Sequence, residues 1–250
     1  MISRFIVLII NNQGIKMSIY IGIDDTDNLN SRGTGRLTRA IAAEISNICP
    51  VKGVTRHQLY YHPDIPYTSH NSCGVIHVES EDEELVPHLF KLAREEILND
   101  FIEGSDPGLV VAHHSQILPP LVAYGIDAKS TILNQEKARL LAGNLGILLE
   151  GLGGTEDGVI GALAGVGLAF NKNDGRFLQI GNIRELTGTQ SVENLLKAGV
   201  EAIFTTDGQQ ILEGDIFNEE NKSVKPCPVN GRPVLFVEHI NGCLKAVKRN

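Results

Sequence analysis

Ile21-Gly-Ile-Asp-Asp-Thr-Asp27 is the stretch on which the fold reading rests. Isoleucines around a glycine lead straight into Asp24, Asp25 and Asp27, so Ile19–Ile23 is predicted as a buried strand with carboxylates at its C-terminal end. Carboxylates packed that tightly repel one another. The usual offset is a hard divalent cation, Mg2+ by default, held by carboxylate oxygens and shared with phosphates. In open α/β sheets ligands bind at the carboxyl ends of strands, which is where these aspartates fall. The competing reading is an acidic turn whose aspartates cap local backbone.

Immediately downstream, Ser31-Arg-Gly-Thr-Gly-Arg36 precedes Leu37, Ile41 and Ile45 at helical spacing. Glycines just before a helix N-terminus expose backbone N–H groups to an anion. Arg32, Gly33, Thr34 and Gly35 are therefore candidate nucleotide contacts. Arg32 or Arg36 is suited to a transferring phosphoryl group by its planar fork. Metal and phosphate are expected side by side, in an α/β architecture.

Outward from this core, Val51–Tyr61 and Cys73–Val78 read as strands, Leu85–Leu98 as a helix and Leu109–Ala112 as a short buried strand. The polar loop between the first two offers His62, Thr68, Ser69, His70, Asn71 and Ser72 for phosphate, base or proton-transfer contacts. A helix is predicted over Asn134–Leu149 with Leu140, Leu141, Leu145 and Leu148 facing the core. Val159–Phe170 is nearly all small or apolar and reads as a buried helix in close contact with its neighbours. A further helix is expected at Ser191–Ala198, and strands at Val200–Thr205 and Val234–Val237. One of His113 and His114 can line a site at its strand's end, whereas His77 reads as structural.

Composition bounds the function. The chain has 250 residues, 42% of them hydrophobic, enough for one large or two modest domains. No apolar run reaches the roughly 18 residues of a membrane span. The four cysteines are scattered without a Cys-x-x-Cys pair, which fits a reduced cytoplasmic protein and gives no zinc ribbon. A net charge of −8 argues against broad nonspecific nucleic-acid binding but not against a nucleotide held through metal. Met17 stands directly before the first strand, so residues 1–16 read as an upstream extension. A domain boundary is expected near 128–136, giving a catalytic domain over 17–132 and a second domain over 133–250.

With these residues in view, the chain resembles the catalytic half of archaeal tRNA(Ile) agmatidine synthetase. The matching pieces occur in order: Gly22-Ile-Asp-Asp-Thr-Asp27, Pro63-Asp-Ile-Pro-Tyr67, Asn71-Ser-Cys-Gly-Val75, Asp106-Pro-Gly108, Gly158–Gly167 and Pro226-Cys-Pro228. The resemblance implies a kinase-like α/β catalytic domain followed by a ferredoxin-like α+β domain. It implies an enzyme that uses ATP and Mg2+ to activate a cytidine carbonyl, which an amine then displaces. Asp24, Asp25 and Asp27 would hold Mg2+ and the ATP phosphates. Gly158, Gly161 and Gly165, with His70, would meet the amine-bearing or nucleoside-like substrate. Two departures stand out. The family's OB-fold and zinc ribbon, which grip tRNA, have no counterpart here. Its Cys-Thr-Thr, which includes a threonine phosphorylated in the reaction, is here Gly35-Arg36-Leu37, with Thr34 and Thr38 as the nearest hydroxyls. The leading expectation is an ATP- and Mg2+-dependent phosphoryl-transfer or ligase enzyme. The alternatives are a nucleotide-binding regulatory protein without turnover, or a tRNA-modifying subunit that borrows its tRNA grip from a partner.

Overall fold

In the computed structural model, residues 18–28, 33–67 and 70–248 are described. The expected extension at 1–16 lies outside them, as do Arg32, Thr68 and Ser69. The chain divides into two compact units, one being Lys16–Asn171 and the other containing Lys172–Asn250.

The first unit is built on β1 (Ser18–Asp24), which carries the acidic motif as predicted. Its other elements are helix α1 (Thr34–Ser46), β2 (Val51–Gln58), β3 (Ser72–Glu79), α2 (Leu85–Asp100), β4 (Gly108–His113), α3 (Pro119–Asp127), α4 (Gln135–Leu145), β5 (Leu148–Gly151) and α5 (Gly158–Asn171). The strands of this unit lie in the order β5-β4-β1-β3-β2, and neighbours run antiparallel. β1 is buried on both faces, which explains its isoleucines. Ile19, Ile21 and Ile23 are fully buried, alternating with Tyr20, Gly22 and Asp24, which face α5. Leu37, Ile41 and Ile45 form the buried stripe of α1, as the spacing predicts.

The glycines of this unit set how closely α5 lies on the sheet. A Cβ on Gly22 would stand 2.3 Å from Ala162 O, and one on Gly108 would stand 2.1 Å from Gly158 C. On the far side of α5, a Cβ on Gly167 would stand 2.2 Å from Leu121 O in α3. The buried helix predicted from small residues is therefore real, and its smallness serves backbone-to-backbone approach.

Two expectations are corrected. The unit ends at Asn171 rather than near 128–136, because α4, β5 and α5 bury their apolar residues on the first sheet. The helix expected over Asn134–Leu149 stops at Leu145, where Gly146 takes a left-handed φ of 65°, and Leu148 begins β5. On its core face Ala138 and Ala142 are buried and the expected Leu141 and Leu145 pack partly buried beside them, while Leu140 is 65% exposed. The strands of the run β1-α1-β2-β3-α2-β4 lie in the order β4-β1-β3-β2.

The second unit is β-rich: β6 (Arg176–Ile180), β7 (Gln190–Ser191), helix α6 (Val192–Lys197), β8 (Ala202–Thr205), β9 (Asp215–Phe217), β10 (Cys227–Val229), β11 (Arg232–Ile240) and β12 (Cys243–Val247). One sheet runs β10-β11-β12-β9-β7, and β8 pairs parallel to β11. Ser191 caps α6 by accepting from Asn194 N–H at 3.2 Å. Asn230-Gly231 and Asn241-Gly242 have φ of 52° and 77°, and 52° and 78°, the positive pairs that close two-residue hairpins. The second of these adds β12, a strand absent from the sequence reading. Among the described residues no helix is long and apolar enough to cross a membrane. None of the four cysteines is in a disulfide.

The close approach of α5 predicts opposite effects for two glycines. Gly22→Ala is expected to cost about 1–3 kcal/mol by overpacking, because the obstacle is backbone. Gly143→Ala, in α4 with nothing within 4 Å of the new Cβ, is expected to gain about 0.4–1 kcal/mol. Urea unfolding of both variants checks the pair.

Candidate functional site

β1 ends at Asp24, where the chain leaves the sheet through Asp25, held at φ 53°. That left-handed conformation is tolerated by Asp and Asn better than by most residues. It turns the acidic run along the mouth of a cavity of about 230 Å3, lined by Asp24, Asp25, Asp27 and Thr34 at one end. Gly158 and Gly161 of α5 form part of its wall. A Cβ on Gly161 would stand 1.8 Å from Asp24 Oδ2, so this glycine leaves room for the carboxylate.

Thr34, in the first turn of α1, ties the acidic run to the helix. Its hydroxyl donates to Asp27 Oδ1 at 2.6 Å and accepts from Thr26 N–H at 3.2 Å. The residue before it, Gly33, has φ 86° and offers no side-chain cap, and the first turn of α1 contains no acidic residue. The glycine loop thus brings an N-terminal turn beside Asp27, as the spacing predicts. Thr38 donates to Thr34 O at 2.9 Å and is fully buried, with its hydroxyl 2.5 Å from the Cβ position of Gly74.

Negative charge dominates. Asp64 and Asp157 join the three aspartates in the lining, and no Lys or Arg lines the cavity among the described residues. Burial first, and then the neighbouring Asp25, raise the Asp24 carboxyl well above its ordinary range. Asp25 is pushed up to about 6, again by burial first and then by Asp106, Asp27 and Asp157. Asp106 and Asp157 are laced into the same corner. Asp106 O accepts from Gly158 N–H at 2.9 Å, and Asp157 Oδ1 accepts from Gln135 Nε2 at 2.7 Å.

With five aspartates and no Lys or Arg in its lining, this donor set fits a hard cation by charge. Among the described residues no three His, Cys, Asp or Glu side chains converge as a ready cage.

The remaining expected site residues separate. His70, Asn71 and Ser72 line the cavity. The Asn71 amide donates to Tyr60 O at 2.7 Å, and the Ser72 hydroxyl accepts from Arg56 Nε at 2.8 Å. Arg36 lies outside the lining and pairs with Asp100 at 3.1 Å. Gly33 and Gly35 flank Thr34 without lining the cavity, and Gly165 lies beneath Cys73 in the interior. Arg32 and Ser69 fall outside the described residues. His113, expected as a possible strand-end site residue, pairs with Ile19, whereas Asp24 pairs with Gly108, so it sits at the opposite end of the sheet. There its Nδ1 lies 2.9 Å from Glu83 Oε1. The sequence reading missed Asp64, Ile65, Pro66 and Tyr67 on one loop and Thr131–Gln135 on another. Pro63-Asp-Ile-Pro-Tyr67 was visible as a motif, but nothing local tied it to the aspartates.

Comparison with known proteins places this geometry. No family model matches the chain, and no curated protein matches it. Solved structures do. A TiaS–tRNA(Ile2)–ATP complex is 27% identical with a TM-score of 0.53, over 60% of this chain and 36% of that one. A TiaS–tRNA(Ile2)–AMPCPP–agmatine complex is 25% identical with a TM-score of 0.51, over the same shares. Apo TiaS, tRNA(Ile2) agmatidine synthetase, is 26% identical with a TM-score of 0.51, over 60% and 35%. The chain thus spans about a third of the length of the TiaS chains it matches.

The crowded carboxyls predict a pH signature. The folded chain holds the Asp25 proton up to about 6 against an ordinary 3.8, so it binds that proton more tightly than the unfolded chain. The corresponding stability is full below the ordinary value and is lost as pH rises through the folded one. Asp25→Asn keeps the left-handed turn and removes the charge. It is expected to raise the metal-free melting temperature at about pH 7.5 and to leave it nearly unchanged near pH 4. Calorimetric melts at both pH values check this.

Proposed function

We propose that this chain, TiaS-like over 60% of its length, is an ATP- and Mg2+-dependent tRNA-modifying enzyme or enzyme subunit of the agmatidine-synthetase type. One observation carries the reading. Asp24, Asp25, Asp27 and Thr34 converge on one cavity in a fold shared with TiaS chains solved with ATP, with an ATP analogue and with agmatine. The kinase-like part of the assignment belongs to this proposal, as do Mg2+ itself and the amine or nucleoside-like substrate.

In this reading one or two of the carboxyls at the acidic end, from among Asp24, Asp25 and Asp27, would hold Mg2+, and the chemistry a bound Mg2+ supplies is neutralisation of phosphate charge. The chain's own residues do the rest. The first turn of α1 presents backbone N–H groups toward phosphate oxygens. Asp27 already holds the Thr34 hydroxyl at 2.6 Å and is placed to take its proton. Of the two hydroxyls nearest the family's phosphorylated threonine, Thr34 lines the cavity and Thr38 is buried. Arg36 is held by an exposed ion pair worth about 0–1 kcal/mol, so it can exchange Asp100 for a phosphoryl group at little cost. The five lining aspartates favour the positive charge of a substrate bearing an amine, and Gly158 and Gly161 form part of the same wall.

The test is ATP binding and consumption, with AMP and ADP resolved, over amines, nucleosides and bulk tRNA. Asp25→Asn and Asp27→Asn are each expected to weaken Mg2+-dependent ATP binding about tenfold or more while the fold persists. Retained binding with unchanged Mg2+ dependence in both single variants and the double variant would sink the reading. ATP binding without turnover on any acceptor would favour the regulatory alternative.

A further inference from the structure

The proposed chemistry occupies one end of the first sheet. At the other end, a cluster of ionisable groups has no part in it. His113 closes β4 with its side chain only 4% exposed, and Glu83, Ser115 and His114 gather around its ring. Its Nδ1 faces Glu83 Oε1 at 2.9 Å and Ser115 Oγ at 2.8 Å, and the Ser115 hydroxyl donates to Glu83 Oε1 at 2.7 Å. Its Nε2 faces His114 Nδ1 at 3.0 Å, with the ring planes at 65°. The cluster joins separate segments of the unit. Glu83 lies in the turn that starts α2, where its carbonyl accepts from Val86 N–H at 3.1 Å. His113 donates its backbone N–H to Gln116 Oε1 at 2.9 Å, and the Gln116 amide donates to Gly146 O just past α4.

The partners fix where the protons lie. A carboxylate only accepts, so His113 Nδ1 carries a proton toward Glu83. That contact takes precedence over Ser115 N–H, which stands 3.4 Å from the same nitrogen. Between the rings there is room for one proton, on His113 Nε2 or on His114 Nδ1. The pair therefore accepts one positive charge without losing a contact, by loading the remaining nitrogen, His114 Nε2. A second charge sets N–H against N–H, and the rings must part.

We infer that Glu83, His113 and His114 form a proton-released clasp, which holds the start of α2 to the end of β4 and opens when both rings are charged. The charges acting on His114 are Glu83 and Glu81, from the turn before α2, and His113 itself; β1 sets uncharged Ile19 opposite His113. Burial first, and then His113, hold the His114 ring below its ordinary 6.5, with Glu83 and Glu81 opposing. The folded chain thus takes up this proton less readily than the unfolded one. The stability that the neutral ring contributes is full above about 6.5 and is lost as pH falls through the lowered folded value. The far end of α2 borders the acidic turn, where Ile102 N–H donates to Thr26 O at 3.3 Å and Asp100 pairs with Arg36. The clasp itself does not depend on what that turn binds.

The intact chain, His114→Asn and Glu83→Gln would be followed by NMR from about pH 7.5 to about pH 4.5, the range in which histidine titrates. Asn offers His113 Nε2 either an N–H or a carbonyl, so it meets that nitrogen bare or protonated and does not itself titrate. In the parent, the ring signals of His113 and His114 are expected to move together, each showing both steps of a coupled pair. Exchange of the Val86 amide, corrected for its intrinsic pH dependence, is expected to quicken about tenfold or more toward the acid end. His114→Asn should keep Val86 protected throughout, with His113 titrating in one step. Glu83→Gln keeps an acceptor but drops the charge, and should release Val86 at a higher pH than the parent. Rings that titrate independently overturn the clasp. So does a Val86 profile in His114→Asn that matches the parent's.

Discussion

The first unit depends on how near α5 lies to β1 and β4. Helices ordinarily pack on neighbours through side chains, at separations of 8–10 Å between axes for helix pairs. Here the obstacle to a Cβ on Gly22 is the carbonyl of Ala162, and the obstacle at Gly108 is the backbone of Gly158. Side chains have been removed from both partners so that backbones meet. The other face of the sheet is conventional, with isoleucines from β1 against the apolar stripe of α1. The asymmetry explains why β1 alternates isoleucine with Tyr20, Gly22 and Asp24.

That approach also makes the site. Asp24 lies on the α5 face of β1, and Gly161 is the residue that leaves it room. Had α5 stood further away, water would enter beside Asp24 and lower its carboxyl toward the ordinary range. Burial instead raises it, and Asp25 is raised likewise, by burial first and then by the charge of Asp106, Asp27 and Asp157. The structure therefore concentrates negative charge where it is least well solvated, supported by packing elsewhere in the unit. Such concentration destabilises the ligand-free chain and is relieved by anything positive that enters, whether a cation or an amine. Fold and ligand preference trace to the same missing side chains.

What the sequence reveals follows from the range of each signal. β1, α1 and α5 were readable because their buried faces repeat at strand or helix period within a few residues. The α4 face was legible in part: Leu141 and Leu145 pack on the core, whereas Leu140 is exposed. The left-handed Gly146 moved Leu148 into a strand, and small residues, Ala138 and Ala142, fill the buried stripe. The hairpin that adds β12 was signalled by Asn241-Gly242, a short cue passed over in favour of apolar runs. Within the site, the aspartates and Thr34 were accessible because they lie on one strand and the helix that follows it. Arg36 was not, since its partner Asp100 is 64 residues away. The cavity-lining loops around 65–67 and 132–133 are tied at their bases by Tyr60 N–H to Ala128 O and Lys129 Nζ to Gln58 O, contacts between residues about 70 apart that no local pattern signals.

The place of β1 in the sheet carries the last step. It is a central strand in the order β4-β1-β3-β2, flanked antiparallel on both sides. A strand in that place cannot shift register without moving its whole set of isoleucines to the α5 face. Asp24 is thereby fixed against Gly161, and the left-handed turn at Asp25 begins from a fixed point. Loops on the rim can vary around such an anchor, and the two cavity-lining loops are of that kind. The sheet sets where charge must be met, and the loops set what shape of ligand can bring it. A change of substrate within this fold would therefore be sought at Tyr67 and Ile132, with β1 and α5 left as they are.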